Sequence, residues 1–250
     1  MSGDERTPGD RAPVTEMAAT LRALERGDLE PLGLLPRSSN STFLVKISDG
    51  HEDTLAVYKP VAGETPLYDF PQGTLAAREV AAYVLAEALG WPRIPPTVLR
   101  DGPHGPGSVQ RFVPFDPNEH FFTMQEARAD EFRRVALFDV VVNNADRKGG
   151  HCLLGQDGEL FVVDHGVCFH VEPKLRTVIW DFVGEAIPPD VTADLQALAP
   201  RLEEGEVYDR LLELLSPAEV EATSGRLAEL LAAGRFPEPG PGRPFPWPVV

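Results

Sequence analysis

Two carboxylates in the second half of the chain, Asp146 and Asp164, have the setting expected of chemically active residues. Asp146 lies in the polar loop, residues 143–151 (NNADRKGGH), between an apolar helical stretch and a short β run. Asp164 directly follows the apolar residues 161–163, so that a strand would deliver it to the mouth of a cleft. Two carboxylates on adjacent loops are typical of a base and a metal ligand.

Lys59 and Glu79 form the second candidate pair. Lys59 ends an alternating strand, from which its cation could reach a bound anion, although a lysine in this position is usually a solvated surface residue. Glu79 shares a helix face with apolar residues such as Leu75 and Tyr83, where an unpaired carboxylate would be costly. A lysine on the adjacent strand would offset that cost, so we predict a Lys59–Glu79 pair.

A polar turn precedes both pairs. Ser39, Asn40, Ser41 and Thr42 offer hydroxyls, an amide and backbone N–H groups in one bend, which can cradle phosphates. Taken alone, these residues fit a plain solvated turn better. Neither G-x-x-x-x-G-K-[ST] nor G-x-G-x-x-G occurs, so the Walker and Rossmann readings lose their main support.

The elements that must position these residues follow from periodicity and turn signals. The first half predicts a helix, a hairpin closed by Asp-Gly, a second helix ended by Gly90 and Pro92, and two further strands. The second half predicts a long helix, two short strands and a helical remainder. The predicted ranges are 15–26, 42–47, 54–59, 74–89, 97–99, 107–113, 124–143, 151–154, 160–163 and 194–233. Strands first and helices later indicate an α+β fold with two lobes.

We divide the chain into four parts on this basis. Residues 1–13 are predicted to be a flexible N-terminus, 14–114 the N-lobe with its sheet and helix, and 115–236 the mainly helical C-lobe. Residues 237–250, with six prolines, form a proline-rich segment. Such a segment is extended or disordered, yet Phe245 and Trp247 would also suit one that packs back onto the lobe.

Composition excludes several classes of protein. The 250 residues are 42% hydrophobic, enough for a buried core, and the net charge of −16 argues against attraction to nucleic acid or an anionic bilayer. Cys152 and Cys168 form neither a disulfide framework nor a C-x-x-C zinc motif. No apolar run resembles a signal peptide or a membrane span. We therefore expect a cytoplasmic protein.

The ordered set of Lys59, Glu79, the polar loop and Asp164 resembles the protein-kinase-like fold of the phosphatidylinositol 3- and 4-kinase and HipA-type branch. In that branch a helix runs into N-x-D-R-H-x-x-N, and a metal-binding Asp follows a short hairpin; here the loop reads Asn-Ala-Asp-Arg-Lys-Gly-Gly-His. The chain looks most similar to small actinobacterial proteins related to phosphatidylinositol 3- and 4-kinases. The resemblance covers about residues 34–190.

The resemblance implies a role for each motif residue in an ATP-dependent kinase. Lys59 would contact the α- and β-phosphates with Glu79 holding it, Asp146 would be the base, and Asp164 the principal ligand of Mg²⁺ or Mn²⁺. The turn at residues 39–42 would cover the phosphates. Gln110 and Phe112 would belong to a hinge, residues 110–114, whose backbone meets the adenine.

Two positions depart from the family pattern. Lys148 stands in place of the usual His, and His151 in place of the usual metal-binding Asn. A buried structural histidine is one interpretation of His151, and metal ligation beside two acidic residues is the other. Because imidazole suits Mn²⁺ better than Mg²⁺, ligation by His151 would favour manganese.

The sequence therefore predicts an ATP-dependent phosphotransferase acting on a hydroxyl acceptor. Two alternatives keep the same fold: a nucleotide-binding pseudokinase scaffold, with His151 marking lost catalysis, and an enzyme that transfers AMP. A protein Ser/Thr or a small alcohol is favoured as acceptor over a lipid, because the chain is acidic and lacks a basic amphipathic helix.

Overall fold

A computed structural model describes residues 14–35, 40–50 and 53–250. The predicted flexible N-terminus, Ser38 and Ser39 lie outside the described residues. Seven α-helices and seven strands are found among those residues: α1 Val14–Arg26, β1 Asp28–Leu34, β2 Phe43–Ser48, β3 Asp53–Pro60, α2 Leu75–Leu89, β4 Thr97–Gly102, β5 Gly105–Arg111, α3 Phe121–Met124, α4 Ala129–Val142, β6 Cys152–Leu154, β7 Leu160–Val162, α5 Pro189–Leu198, α6 Glu206–Leu212 and α7 Pro217–Ala233.

The first lobe is an antiparallel sheet with strand order β1-β2-β3-β5-β4. Alternation places Tyr58 and Val45 on one face, where they form a small core with α1. On the other face lie Lys59 and Val57, and the register sets Val57 opposite Leu44 of β2. The end of β3 thus presents Lys59 toward the second lobe.

Helix α2 joins the sheet to the second lobe. It contacts β4 and β5 on one side and α5 and α6 on the other. Its alanine-rich sequence is buried over most of its surface, as expected for a helix that is apolar nearly all round. The helix ends at Gly90, whose φ of 94° requires the left-handed conformation that glycine adopts readily. The predicted helix stop is therefore confirmed.

The second lobe packs α4 to α7 around one large apolar core. Helix α4 leads into the polar loop, and the β6–β7 hairpin leads from it to Asp164. The helix predicted over 124–143 is confirmed from residue 129 onward, and only its beginning is wrong, because residues 125–128 form turns between α3 and α4. The guanidinium of Arg128, the last residue of those turns, donates to Glu131 and to the backbone carbonyl of Gly158.

The helices of the described ranges are too short or too polar for any of them to cross a bilayer.

Candidate active site

Lys59 lies between the two lobes and contacts a carboxylate from each. Its Nζ donates to Glu79 Oε1 and, at 2.9 Å, to Asp164 Oδ1. Glu79 is 3% exposed, and its second oxygen accepts the backbone N–H of His165 at 2.9 Å. The predicted Lys59–Glu79 pair is confirmed as a contact. The two carboxylates raise the pKa of Lys59 above its ordinary value against the opposing effect of burial, so the ammonium stays charged.

Glu64, which the sequence analysis did not select, fixes the start of α2. Its two carboxylate oxygens accept the backbone N–H groups of Gly73, at 3.0 Å, and Ala76, at 3.1 Å. Burial raises the pKa of the Glu64 carboxyl. A carboxylate at a helix N-terminus satisfies N–H groups that have no partner within the helix. Glu64 therefore helps to set the position of α2 and, with it, of Glu79.

Asp164 and His151 meet at the same point. His151 Nε2 lies 3.2 Å from Asp164 Oδ2, while the other oxygen of Asp164 faces Lys59. Lys59 is the main reason that the pKa of Asp164 falls well below its usual range. Burial lowers the pKa of His151 to about 4, so its imidazole is neutral at pH 7, with Nδ1 accepting the backbone N–H of Lys148 at 3.4 Å. Asp164 itself adopts φ 64°, which turns its side chain out of the strand direction.

Asp146 lies on the polar loop, close enough to Asp164 for the two charges to interact. Its Oδ2 accepts from Lys148 Nζ at 2.9 Å, and its backbone N–H donates to the side chain of Asn144 at 3.0 Å. Burial raises the pKa of Asp146, Lys148 opposes that rise, and the negative charge of Asp164 adds to it. A carboxylate with a raised pKa is better suited to accept a proton than an ordinary surface Asp.

A buried network holds the polar loop in place. Arg147 and Asp139 are both fully buried and form a two-pronged ion pair at 3.0–3.2 Å. Arg147 also donates to the carbonyl of Val163 at 2.9 Å and approaches His165 Nε2 at 2.7 Å. Since these contacts join α4, the polar loop and the Asp164 strand end, they fix Asp146 relative to Asp164. The sequence analysis did not select Asp139, although a carboxylate on the apolar side of a helix is the same signal that identified Glu79.

Asn143 ends α4 and orders the chain beyond Asp164. It adopts φ 53°, a left-handed conformation that Asn tolerates better than most residues. Its side chain donates to the carbonyls of His170 and Glu172 and accepts the N–H of Lys174 at 2.8 Å. Residues 170–174 are therefore tied to the end of α4.

The polar turn folds against the chain that follows β3. Asn40 Oδ1 accepts the N–H of Thr65 at 2.7 Å, and the N–H of Ser41 donates to Gly63 at 3.0 Å. Thr42 is buried and Ser41 is exposed. The described part of the turn lies at the β1–β2 connection, with its backbone directed toward the chain after Lys59 rather than into a separate loop.

Gln110 and Phe112 lie at and just beyond the end of β5, but both have partners within the sheet. Gln110 Nε2 donates to Thr97 Oγ1 at 2.8 Å, and the N–H of Phe112 donates to Leu55 at 2.9 Å. The N–H of Arg111 is bonded as well. Half-buried Leu44 and Val57 lie on the same sheet face as Lys59, and the sequence analysis did not select them. The two-residue period of β3 places Val57 on that face, and Leu44 is its partner on β2.

The donor set of the cleft suits a divalent cation bound together with phosphates. Within residues 14–35, 40–50 and 53–250, no three His, Cys, Asp or Glu side chains converge as a complete metal site. Asp164 and His151 are a pair, with one carboxylate oxygen and one imidazole nitrogen, and the Asp164 side chain is 45% exposed to the cleft. Phosphate oxygens are the ligands that commonly complete such a set around Mg²⁺.

No model of a protein family matches the chain. Protein Rv2133c of Mycobacterium tuberculosis is 39% identical over 273 aligned residues, which cover 93% of this chain and 98% of that protein. Phosphatidylinositol 4-kinase gamma 4 of Oryza sativa and phosphatidylinositol 4-kinase gamma 1 of Arabidopsis thaliana are each 28% identical, over 70% and 66% of this chain. The chain spans only 37% and 36% of the length of these two plant proteins.

Solved structures of kinases have a backbone fold similar to that of this chain. The Golgi casein kinase aligns with a TM-score of 0.55 at 15% identity, covering 89% of this chain and 75% of that one. A second structure of the same kinase, with Mn/ADP bound, gives 0.53. The Helicobacter pylori proinflammatory kinase CtkA gives 0.54 at 11% identity, covering 85% and 94% of the two chains. The fold is thus the predicted α+β, two-lobed, kinase-like fold, and kinase-named relatives share sequence with it.

Proposed function

The chain belongs to the family of the mycobacterial Protein Rv2133c, and we propose that it is an ATP-dependent phosphotransferase that moves the γ-phosphate to a hydroxyl acceptor with a divalent metal. The observation that carries the proposal is the position of Lys59, held between Glu79 of one lobe and Asp164 of the other. A cation clamped in this way at a cleft suits a polyanionic ligand. The kinase-like fold and the kinase-named relatives support the same reaction class.

The site residues divide the reaction between them. Lys59 binds the α- and β-phosphates and Glu79 orients Lys59. Asp164 and His151 would hold the metal, which would neutralise charge on the phosphates. Asp146 orients the acceptor hydroxyl and takes its proton as the acceptor oxygen bonds to the γ-phosphorus, while the bond to the β,γ-bridging oxygen breaks and ADP leaves. Lys148, whose Nζ lies 2.9 Å from Asp146 Oδ2, partly neutralises the charge of the base.

The nucleotide would lie under the first lobe. Leu44 and Val57 would cover the adenine ring from the sheet, and the turn at residues 39–42 would cover the phosphates. The hinge of residues 110–114 would meet the adenine through its later part, because the N–H groups of Arg111 and Phe112 already have partners. Under this proposal the lobe boundary falls between residues 114 and 115, with the C-lobe ending at 236.

The remaining parts of the proposal concern metal, acceptor, branch and location. His151 as a neutral ligand favours Mn²⁺ over Mg²⁺, and the Mn/ADP complex of the Golgi casein kinase supports a divalent cation in this fold. Equal or better turnover with Mg²⁺ at matched free metal would contradict the preference.

The acceptor hydroxyl belongs to a protein side chain or a small molecule. We also place the chain in the phosphatidylinositol 3- and 4-kinase and HipA-type branch, and in the cytoplasm, where its two free thiols are stable.

Alanine variants of the two aspartates test the proposal. Asp146→Ala should lower transfer from γ-labelled ATP by roughly 10²-fold or more, the usual effect of losing a positioned base, and leave ATP binding intact. Asp164→Ala should lose metal-dependent ATP binding as well. Asp130→Ala is the control, since that side chain is 89% exposed on α4. If both site variants match wild type, the assignment fails, and label transferred from α-labelled ATP would instead identify AMP transfer.

A further inference from the structure

Arg78 bonds helix α2 to the second lobe at the position next to Glu79. Its guanidinium donates to the carboxylate of Glu219, in the first turn of α7, and to the carbonyl of Cys168 at 2.6 Å. Arg78 is 1% exposed, so these bonds are shielded from water. Because Cys168 is four residues beyond Asp164, one side chain connects α2, α7 and the segment that follows Asp164.

Both partners of this ion pair are held by further contacts. The second oxygen of Glu219 accepts the backbone N–H and the hydroxyl of Ser216, both at 2.8 Å. Nε of Arg78 donates to Thr74 Oγ1 at 3.2 Å, and its guanidinium carbon lies 5.0 Å from the centre of the Phe70 ring. Since the guanidinium is planar and all three of its nitrogens have acceptors, the start of α2 has little freedom to slide or turn.

The other end of α2 is bonded to the second lobe as well. Arg201, between α5 and α6, donates to the carbonyl of Ala88 in the last turn of α2. The indole N–H of Trp91, two residues beyond the helix, donates to Asp194 Oδ2 of α5 at 2.8 Å. These bonds couple the position of α2 to that of the second lobe along the whole length of the helix.

The direction of Glu79 depends on how α2 is rotated. Consecutive residues of an α-helix point about 100° apart, so fixing Arg78 on one side of α2 sets where the neighbouring Glu79 points. Glu79 accepts from Lys59 Nζ and from the backbone N–H of His165. A rotation or slide that breaks the bonds of Arg78 would draw Glu79 away from Lys59, which would keep Asp164 as its acceptor.

We propose that Arg78 and Glu219 are positioning residues of the phosphotransferase site. By fixing α2 to the second lobe, they let Glu79 hold Lys59 where it can meet the α- and β-phosphates. Arg78 and Glu219 act through Glu79 rather than on the nucleotide. This inference rests on the proposed phosphotransferase function.

The double variant Arg78→Met, Glu219→Gln tests the proposal without leaving a buried charge unpaired. The control is Arg133→Met, Glu185→Gln, which makes the same two changes at an ion pair of the second lobe whose side chains are 25% and 44% exposed. Arg78→Lys is made in parallel. It keeps the charge beside Glu219 but loses the guanidinium geometry, and it decides the question by the same measurements if the double variant does not fold.

The first measurement is the acylation rate of Lys59 by acetic anhydride at fixed pH, read by mass spectrometry with Lys46 of β2 as the internal reference. A lysine that is hydrogen-bonded to two carboxylates reacts slowly, because they retain its proton. Without the Arg78–Glu219 pair, the ratio of Lys59 to Lys46 acylation should rise about threefold or more, as it should in Glu79→Gln. An unchanged ratio in a folded variant overturns the proposal, even if that variant melts at a lower temperature.

The second measurement is kcat/KM for ADP release in a double-mutant cycle with Glu79→Gln. Loss of the Arg78–Glu219 pair should lower kcat/KM roughly 10-fold, and Glu79→Gln should lower it roughly 30-fold. If the pair acts through Glu79, all three changes together should lower kcat/KM by no more than about 30-fold. Independent effects would multiply to about 300-fold, and that result overturns the proposal.

Acylation needs neither ATP nor turnover, so it separates this inference from the proposed function. If wild type neither binds ATP with Mn²⁺ nor releases ADP, the phosphotransferase function is refuted, whereas the acylation ratio still decides whether Arg78 positions Lys59. If wild type is active and the Arg78→Met, Glu219→Gln protein matches it in acylation and turnover, only the positioning role is refuted.

Discussion

Glu79→Gln is the substitution that most directly tests how Lys59 is held. Both carboxylate oxygens of Glu79 act as acceptors, one for the Lys59 ammonium and the other for the N–H of His165 at 2.9 Å. Glutamine has the same shape but only one acceptor oxygen. Its NH₂ group must therefore face one of two donors, and with Glu79 only 3% exposed there is little water to replace the lost bond.

The expected loss follows from that count of bonds. A hydrogen bond to a charged group contributes about 1.5–3 kcal/mol, and a buried donor left without an acceptor costs about 1–3 kcal/mol. Lys59 is 23% exposed and keeps Asp164 at 2.9 Å, so water and Asp164 recover part of the loss. We expect a net destabilisation of about 2 kcal/mol, which lowers Tm by roughly 4–8 °C in a chain of this size. If the same energy is lost from transition-state binding, kcat/KM falls roughly 30-fold.

Thermal unfolding and ADP release measure the two effects separately. Glu213→Gln is the matched control, because it removes one negative charge from a side chain that is 61% exposed and paired with Arg210 on the surface. Surface pairs of this kind contribute less than about 1 kcal/mol. A Glu79→Gln protein with the melting temperature and turnover of wild type would refute the reasoning. A lowered Tm with unchanged turnover would show that Glu79 supports the fold without positioning Lys59.

Three further predictions follow from individual contacts. Lys148→Met removes the cation that opposes the raised pKa of Asp146, so the acidic limb of the kcat–pH profile should move to higher pH; an unmoved limb would contradict the contact. Although burial acts to raise it, hydrogen bonds from the α7 cap and a buried guanidinium hold the pKa of Glu219 below its ordinary value of 4.5. The stabilisation by ionised Glu219 is complete above about pH 4.5 and is lost as pH falls through the lower pKa of the folded state. Glu219→Gln should therefore flatten the decline of the urea unfolding midpoint below about pH 4.5. An unchanged slope would count against this role of Glu219. Asn143→Ala loses three hydrogen bonds to residues 170–174 and keeps φ 53°, so the free energy of unfolding should fall by about 2 kcal/mol or more. In Asn143→Gly the free energy of unfolding should fall less, because glycine adopts a positive φ without strain.

Most elements were predictable because their signals are local. The Asp-Gly hairpin, the helix that ends at Gly90 and the two-lobed order of strands and helices depend on turn residues and periodicity within a few positions. The break at residues 125–128 was missed because it contains neither Gly nor Pro. Arg128, the last residue of those turns, bonds to Gly158, thirty positions away, and no local pattern reveals such a partner.

The candidate site was partly predictable for a related reason. Glu79 was identified because a carboxylate on an apolar helix face needs a partner, and Lys59 was within reach. Asp139 satisfies the same criterion, but its partner Arg147 lies in the polar loop, where an arginine is usually solvated. The capping of α2 by Glu64 has no sequence signature either, since loop and helix meet only after the chain has folded.

The sequence by itself determined which residues are candidates for the site and in what order they occur, because residue type and local period decide which side chains are charged and which strand or helix presents them. The tertiary structure decided how they act together. The sequence predicted the contact between Lys59 and Glu79, and the fold adds a direct hydrogen bond from Lys59 to Asp164, 105 positions along the chain. The fold also bonds the proline-rich segment to the backbone N–H groups of Thr177 and Gly149. The sequence had left the position of that segment open. Contacts between distant residues depend on how the lobes pack, and packing is a property of the whole chain rather than of any stretch of it.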